Sequence, residues 1–516
     1  MGEETSVRCS ICSAKFAKQA NLAKTQTNDN SNANSALKAS IVGKFTSPAA
    51  ISPQLTLLVT PCFDIGEHAK SVSNLAHRLP FYDQVNEAEG ATPANDVLKR
   101  RRNVPDPTAG IDTASCYDIE IAPPHYMEAK SQEIISSILS ATNLSRKPDF
   151  SSTQSSCAQF FSPPNIESLL DVFFQIWYPN WPVFHKPTFC ATQRLPQLTA
   201  ALSLIGACLS PEPDDQRQAI ECMDVVEEWI FSSLELCEDA VHEPPQVRER
   251  LDLLQAAYAL VLLMNWEGSK VQTTRARRRY FSEIVSVARG LYPFAMAQPG
   301  TTDAWMDFAL REECIRTLLY IFLLDCAFVI FHNSVPRMVI SELRFRLASS
   351  EELFLAPDPE AWAALQPNVH IQRSTLYQAI DMMMTGEIGP EQWKVFENMS
   401  LLNVFTIISA FHNLIFHHHG PTKSSTITRG LRNWFHVWSS RDFSILEDRP
   451  KNDKIGFYCH AAEYWCLAIL FCRQHELGLD GQGVDVPRMA NETSDMSGLH
   501  SLITRFQGQE GLLAMR

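Results

Sequence analysis

The chain has 516 residues, of which 45% are hydrophobic, so it is long enough to bury a large core. Its 58 acidic residues outnumber its 44 basic residues, and the formal net charge of -14 excludes a broadly basic surface for nucleic acid. Contact with DNA would therefore need a local basic module. The 14 cysteines lack the dense, regular spacing of a disulfide framework, which favours reduced thiols inside a cell.

The first motif in the chain is the beginning of a zinc finger. Cys9 and Cys12 are separated by two residues, as in the cysteine pair of a C2H2 finger. Phe16 and Leu22 follow at the spacing of the two core residues of such a finger. We interpret residues 1–30 as a partial C2H2-like zinc finger with Cys9 and Cys12 as its metal ligands.

The second half of this finger is missing from the sequence. The two histidines would stand at positions 25 and 29, which are Thr25 and Asp29. A structural zinc site needs four ligands, and metal binding provides most of the folding free energy of so small a module. Zinc binding, and DNA binding through the finger, therefore depend on whether the finger is intact.

Residues 31–156 are rich in Asn, Ser, Thr, Pro and Ala and have no sustained helical or strand period. This composition predicts a disordered linker. Within the linker, Lys99, Arg100, Arg101 and Arg102 form a basic run. Such a run suits a nuclear import signal, but it is equally typical of plain solvated charge.

Residues 157–475 predict an all-α domain, because apolar residues recur at helical spacing in one segment after another. Pro179 should end the first helix, and Trp181, Phe184 and Phe189 should fold back into the core. Two apolar runs, which begin at Leu318 and Leu401, contain polar residues and are predicted to be buried helices, not membrane spans. Residues 476–516 should form a polar tail with a short helix. The predicted helices begin near Ile166, Leu198, Ala219, Leu251, Tyr280, Trp305, Leu401 and Ala461.

Several charged residues in this region have simple interpretations. The arginines between positions 275 and 279 crowd the start of a helix and are interpreted as a solvated face, not as a surface that binds DNA. Glu312 and Arg316 are four residues apart and should form an exposed helical pair. His185 is interpreted as a packed or surface histidine, since no second metal ligand lies at a suitable spacing.

A series of landmarks resembles the regulatory region of fungal zinc-finger transcription factors, the fungal-specific transcription factor domain. Their order is more specific than any one of them, and they cover about residues 160–365. They are the aromatic loop WYPNWPVFHKPTF from Trp177, the helix LSLIGACL with Gly206, SVARGL at Ser286 to Leu291, and the line Trp305, Glu312, Glu313, Arg316 and Asp325.

This resemblance implies a nuclear regulator of RNA polymerase II genes that is not an enzyme and does not enter a membrane. Members of the family join such a helical region to a DNA-binding head at the N-terminus. The resemblance further implies partners among the transcription machinery or co-regulators, and homodimer contacts. Many relatives control secondary-metabolite gene clusters or nutrient pathways, so a pathway or cluster of this kind is the expected target.

Two alternatives compete with this interpretation. A protein without a working finger could modulate transcription through partners and not bind DNA itself. An all-α terpene cyclase would need paired aspartates for magnesium, and Asp214 and Asp215 are the best candidates. However, the third carboxylate of that motif would fall at Gln218, and Pro211 and Pro213 are expected to place the pair in a loop.

Overall fold

The computed structural model places two short strands and a series of helices. It describes residues 6–8, 15–17, 124–145, 150–235, 237, 243–297, 304–366, 374–386, 388–417, 421–441 and 456–476. Every regular element described after residue 123 is a helix, which confirms the all-α prediction for this region. The chain divides into a first unit, residues 65–322 and 337–373, and a second unit, residues 1–64, 323–336 and 374–516.

The two strands form an antiparallel hairpin near the N-terminus. Strand β1 spans Ser6–Arg8 and strand β2 spans Lys15–Ala17. In their register Val7 lies opposite Phe16. The six residues 9–14 separate the two strands in the sequence.

The first unit contains most of the helices that the structure describes. Several of them have a proline in the first turn, where the N–H that proline lacks has no partner within the helix. Its helices are α1 Pro124–Ser145, α2 Phe150–Phe160, α3 Pro163–Val172, α4 Pro196–Cys208, α5 Pro213–Glu235, α6 Pro244–Trp266, α7 Lys270–Arg275, α8 Phe281–Arg289, α9 Tyr292–Met296, the part of α10 (Ala304–His332) up to residue 322, α11 Glu351–Phe354 and α12 Pro359–Leu365.

Helix α4 is the central helix of the first unit. Nearly all of its residues are buried, because α3, α5 and α6 pack around it. Gly206 lies against the backbone of α3: a Cβ at this position would come within 2.0 Å of the carbonyl oxygen of Leu169. The two helices can therefore approach this closely only with glycine at position 206.

The aromatic loop folds into the core as predicted. Helix α3 continues through the π-helical turn Phe173–Trp177, and a short 3-10 turn then contains Pro179. Trp181 and Phe184 are fully buried, with ring centroids 5.2 Å apart. Trp181 also stacks on Tyr258 of α6, at 5.0 Å between centroids. The loop thus contributes side chains to the hydrophobic core, as the helices do.

Helix α1 lies within residues 31–156, the stretch that the sequence assigned to a linker. Met127, Ile134 and Ile138 are buried at spacings of seven and four residues, which places them on one face. The polar Lys130 interrupts this apolar stripe, which made the period hard to detect. Its ammonium group donates to the backbone carbonyl of Arg194 at 2.8 Å. Tertiary contacts therefore stabilise a helix with a weak local pattern.

Helix α10 contains an 18-residue window that is long and apolar enough to cross a membrane. However, 94% of that window is buried inside the protein, as in a core helix, which fits the prediction for the run from Leu318. The helix ends at His332, and Asn333 adopts a left-handed φ of 50° directly after it. Pro336 follows three residues later.

The second unit packs three of its helices together, α15 with α16 and α17. Buried indole N–H groups bond backbone carbonyls within it: Trp434 Nε1 to Val404 O at 2.9 Å and Trp465 Nε1 to Leu431 O at 2.8 Å. Its helices are α13 Leu376–Thr385, α14 Pro390–Glu397, α15 Leu401–His417, α16 Pro421–Ser439 and α17 Ala461–Glu476.

Candidate functional site

The hairpin β1–β2 flanks the predicted zinc ligands. Cys9 and Cys12 fall in the six-residue segment between the strands, and this segment lies outside the described residues. Phe16, the first predicted core residue of the finger, lies in β2. A C2H2 finger also begins with a two-stranded hairpin, and its cysteines lie near the turn. Leu22 and the basic run from Lys99 to Arg102 lie outside the described residues.

The residues present fit only half of a zinc site. A pair of cysteine thiolates suits zinc chemically, since sulfur is one of its preferred ligands. The sequence offers Thr25 and Asp29 where the two histidines belong. Within the ranges that the structure describes, no group of three or more His, Cys, Asp or Glu residues could hold a metal ion. Cys9 and Cys12 would therefore supply two of the four ligands.

A buried network of charged side chains lies in the first unit. Arg194 follows the aromatic loop, and its Nη1 is 2.7 Å from Asp252 Oδ1 on α6. Its Nη2 donates to Glu313 of α10, at 2.8 Å to Oε1 and 3.1 Å to Oε2. Arg248 of α6 donates to Glu313 Oε2 as well. The loop before α4 is thereby fastened to two core helices.

The arginines keep the central carboxylate ionised in spite of its burial. Burial alone would raise the pKa of Glu313, but Arg194 and Arg248 outweigh this effect and lower the pKa to about 2. For Asp252, burial outweighs the same two arginines, and its pKa is raised. Both carboxylates accept charge-assisted hydrogen bonds, so their lone pairs face donors of the protein itself. This network therefore suits a structural clamp better than proton transfer.

His185 lies beside this network and is fully buried. Its backbone N–H donates to Glu313 Oε1 at 2.8 Å, and its Nδ1 is 2.8 Å from Thr188 Oγ1. The imidazole ring makes edge contacts with Trp305 and Phe354. Burial lowers the pKa of His185 to about 4, so the ring is neutral at pH 7. A packed histidine, as the sequence indicated, fits these contacts.

A second buried network surrounds Arg316, and here the prediction of an exposed pair was wrong. Arg316 is fully buried and Glu312 is 3% exposed, with 3.0 Å between Nε and Oε1. Arg316 also donates to Glu351 at 3.1 Å, and its guanidinium lies over the Phe354 ring at 4.0 Å from the centroid. The error arose because a spacing of four residues shows that two side chains are neighbours, not which side of the helix is buried.

The arginines between positions 275 and 279 are paired with acidic or polar neighbours. Arg275 Nε is 2.6 Å from Glu227 Oε1, and Arg279 Nε donates to Glu283 Oε1 at 2.8 Å. The segment Ala276–Tyr280 forms a π-helical turn within the first unit. Because carboxylates already offset part of this positive charge, the cluster does not form a ready site for phosphate groups.

The aspartate pair considered for magnesium lies in a helix, so the prediction of a loop was wrong. Asp214 and Asp215 stand in the first turn of α5, because Pro213 begins a helix readily. Asp214 is 2.9 Å from the Nη2 atom of Arg217, and Asp215 accepts a bond from Ser210 at 2.6 Å. Each carboxylate thus has a local partner, and carboxylates near a helix N-terminus are favourable there.

The sequence did not single out Arg194, Arg248 and Asp252. One signal was available: Asp252 stands between leucines in the otherwise apolar segment LDLLQAAYALVLL. A charge in such a segment must be paired if it is buried. The identity of the partner was not accessible, since Arg194 lies 58 residues away along the chain.

Comparisons with known proteins identify two relatives. The chain is 32% identical over 393 residues to transcription factor verF of Penicillium polonicum, in a match that covers 69% of this chain and 53% of that protein. It is 21% identical over 220 residues to zinc finger protein zas1 of Schizosaccharomyces pombe, in a match that covers 40% of this chain and 23% of that protein.

The chain therefore spans about half the length of the first relative and about a quarter of the second. No family model and no solved structure matches the chain. The identity to verF extends over more than two thirds of this chain, well beyond a short DNA-binding head. The chain is thus homologous to a fungal transcription factor.

Proposed function

We propose that this protein regulates transcription of RNA polymerase II genes in the nucleus. The observation that carries the proposal is the 32% identity to transcription factor verF over 393 residues. The buried charges described above support a non-enzymatic role, because each of the carboxylates is held by donors of the protein itself. We therefore assign no reaction to the helical region.

In this proposal, DNA binding and regulation belong to different parts of the chain. Residues 1–30 contact DNA through the hairpin segment, with Cys9 and Cys12 providing two zinc ligands. Residues 157–475 form the regulatory region, which contacts the transcription machinery, co-regulators or a second copy of the chain. The net charge of -14 and the paired arginines of the first unit favour DNA contact at a local module over contact along the helices.

The finer assignments rest on the resemblance to the fungal-specific transcription factor domain. It favours a pathway or secondary-metabolite gene cluster as the target. The basic run from Lys99 to Arg102 is proposed as the nuclear import signal, because import carriers recognise exposed positive charge. These assignments are independent of whether the finger is complete.

A second candidate function is favoured by the incomplete set of zinc ligands. With Thr25 and Asp29 at the two histidine positions, residues 1–30 offer fewer ligands than a structural zinc site requires. The chain would then modulate transcription through protein partners, or by competing with an intact factor, without binding DNA itself.

Zinc content and DNA selection separate the two candidates. The full chain is purified with zinc present, its metal content is measured by mass spectrometry, and bound sequences are selected from a random DNA pool. Direct DNA binding predicts one zinc ion per chain and an enriched sequence, both lost in a Cys9→Ser, Cys12→Ser variant. Cys237→Ser is the control, because this half-buried cysteine lies two residues after the end of α5, outside the proposed zinc-binding segment. A chain with neither zinc nor an enriched sequence contradicts direct binding and leaves the partner-mediated function.

A further inference from the structure

Two buried cysteines of the first unit lie in contact, although no sequence pattern pairs them. The Sγ atoms of Cys157 and Cys222 are 3.3 Å apart, and 65 residues separate them along the chain. Cys157 lies on α2 and Cys222 on α5, and these helices pack against each other. Both residues are free thiols that are almost completely buried.

We propose that Cys157 and Cys222 form a reversible disulfide under oxidation and thereby fasten α2 to α5. A disulfide bond is about 2.05 Å long, so the sulfur atoms need to approach by only about 1.2 Å from their present separation. Side-chain rotation and a small shift of α2 can provide this movement. The pair is an oxidation site that goes beyond the proposed role in transcription and does not depend on it.

Helix α2 gives an oxidant a route to the pair. Its sequence, FSSTQSSCAQF, is dominated by small polar residues. Between Ser155 and Phe160, only Cys157 and Phe160 are buried. Because the part of α2 from Ser155 to Phe160 buries only two side chains, it should open locally at low cost, whereas α5 is anchored by many buried residues. Local opening of α2 therefore exposes Cys157 without unfolding the first unit.

The contact between the sulfur atoms also gives the two cysteines different chemical roles. The two thiols share a hydrogen bond, and this bond lowers the pKa of Cys157 in spite of its burial. The same bond, together with burial, raises the pKa of Cys222. Cys157 is thus the thiol that ionises first, and the thiolate is the reactive form.

The chemistry balances with a peroxide as the oxidant. The Cys157 thiolate attacks one peroxide oxygen, the O–O bond breaks, and the departing hydroxide takes up the proton lost by Cys157 to form water. Cys222 sulfur then attacks the sulfenic acid of Cys157, and the S–O bond breaks as the S–S bond forms. The hydroxide released takes the Cys222 proton and leaves as a second water. Two thiols are oxidised and one peroxide is reduced.

Other buried cysteines of the first unit differ from this pair. Burial raises the pKa of Cys314 to about 12 and raises that of Cys208 well above its ordinary value. Neither thiol gains the hydrogen bond that favours ionisation of Cys157. Selective oxidation of one pair, with the other buried thiols left intact, is therefore the expected pattern.

Peptide mapping of the full chain tests the proposal. The reduced, folded chain is treated with dilute hydrogen peroxide, quenched, unfolded, alkylated and digested without reduction. Trypsin and chymotrypsin are used together, because trypsin alone leaves Cys157 with Cys190 and Cys222 with Cys237 on shared peptides. We expect a linked Cys157–Cys222 peptide, two fewer alkylated thiols than in the untreated chain, and recovery of both thiols with dithiothreitol.

Two variants complete the design. Cys222→Ser should abolish the linked peptide and leave Cys157 in higher oxidation states, whereas Cys237→Ser should retain the link. The wild-type chain alone decides the matter if a variant fails to fold. The proposal is overturned if Cys157 and Cys222 both remain alkylatable after treatment, or if they become linked only once the chain has been unfolded.

Discussion

Arg194 donates to both carboxylate oxygens of Glu313, at 2.8 and 3.1 Å, although 119 residues separate the two along the chain. The same guanidinium contacts Asp252 at 2.7 Å. One side chain thus fastens the segment after the aromatic loop to α6 and α10. Because all three groups are almost fully buried, the network can be neither solvated nor rearranged cheaply.

Replacing Arg194 by leucine should therefore destabilise the protein strongly. The change leaves Glu313 and Asp252 buried with less compensating charge, and removal of one partner from such a network typically costs about 3–5 kcal/mol. The free energy of unfolding of the first unit, measured by hydrogen exchange of amides in α6 and α10, reports this loss.

The matched control is Arg217→Leu. Arg217 also pairs with two carboxylates, Asp214 and Glu221, but its side chain is 61% exposed. Exposed pairs contribute less than about 1 kcal/mol, so this variant should resemble the wild type. Equal losses for Arg194→Leu and Arg217→Leu would show that the buried network has no special role.

Gly206→Ala should destabilise the contact between α3 and α4. The added Cβ would lie 2.0 Å from the carbonyl oxygen of Leu169, a backbone atom that cannot turn away. We expect a loss of about 2 kcal/mol or more, which outweighs the better helix propensity of alanine. Gly386→Ala is the control, because a Cβ there meets nothing within 4 Å, and its effect should stay within about 0.5 kcal/mol. A wild-type denaturation midpoint for Gly206→Ala would contradict the close approach.

Stability should fall with acidification in two windows. Burial lowers the pKa values of His185, His412 and His460 to about 4 from the ordinary 6.5. The unfolded chain therefore binds more protons between pH 6.5 and 4, and stability is lost as the pH falls through this range, by up to roughly 3 kcal/mol per histidine. For Glu313, with a pKa of about 2, the loss follows between pH 4.5 and 2.

The histidine window can be tested by comparing unfolding free energies at pH 7 and pH 5. His185→Gln should reduce the difference between the two values, since glutamine does not titrate. His436→Gln, at an exposed position, serves as the control and should leave the difference unchanged. If His185→Gln retains the full pH dependence, the buried neutral histidine is not its source.

Elements that depend on residues close together in the sequence could be predicted, whereas contacts between residues far apart in the sequence could not. Helices α4, α6 and α10 were predicted because apolar residues recur locally. The Arg194 network was missed, because its partners lie 58 and 119 residues away and arginine is usually exposed. Helix α1 was missed for a related reason, since distant backbone groups satisfy its buried polar side chains.

The same contrast between local sequence patterns and contacts of distant residues applies to the candidate site. The spacing of Cys9 and Cys12 predicted a partial finger; two antiparallel strands flank these positions, while the cysteines themselves lie outside the described residues. The contact of Cys157 with Cys222 had no counterpart in the sequence, because a spacing of 65 residues gives no sign of contact. Local patterns thus indicated elements and motifs, while pairs of distant side chains required the structure.

Replacing Lys99, Arg100, Arg101 and Arg102 with alanines should shift a fluorescent fusion of the full chain from the nucleus to the cytoplasm. The expected cause is loss of the positive charge that an import carrier recognises. Fusing an unrelated import signal to the same variant should restore nuclear fluorescence, which controls for misfolding. If the alanine variant remains nuclear, the basic run is ordinary solvated charge and not the import signal.

The most direct test of the central claim is to measure promoter occupancy and transcript levels in the same cells. The tagged full chain is mapped on chromatin in its source organism, and transcripts are compared with those of a strain that lacks the gene. A transcription regulator predicts enriched promoters whose genes change expression in the deletion strain. Absence of enrichment above an untagged control, together with unchanged transcripts, would contradict the account.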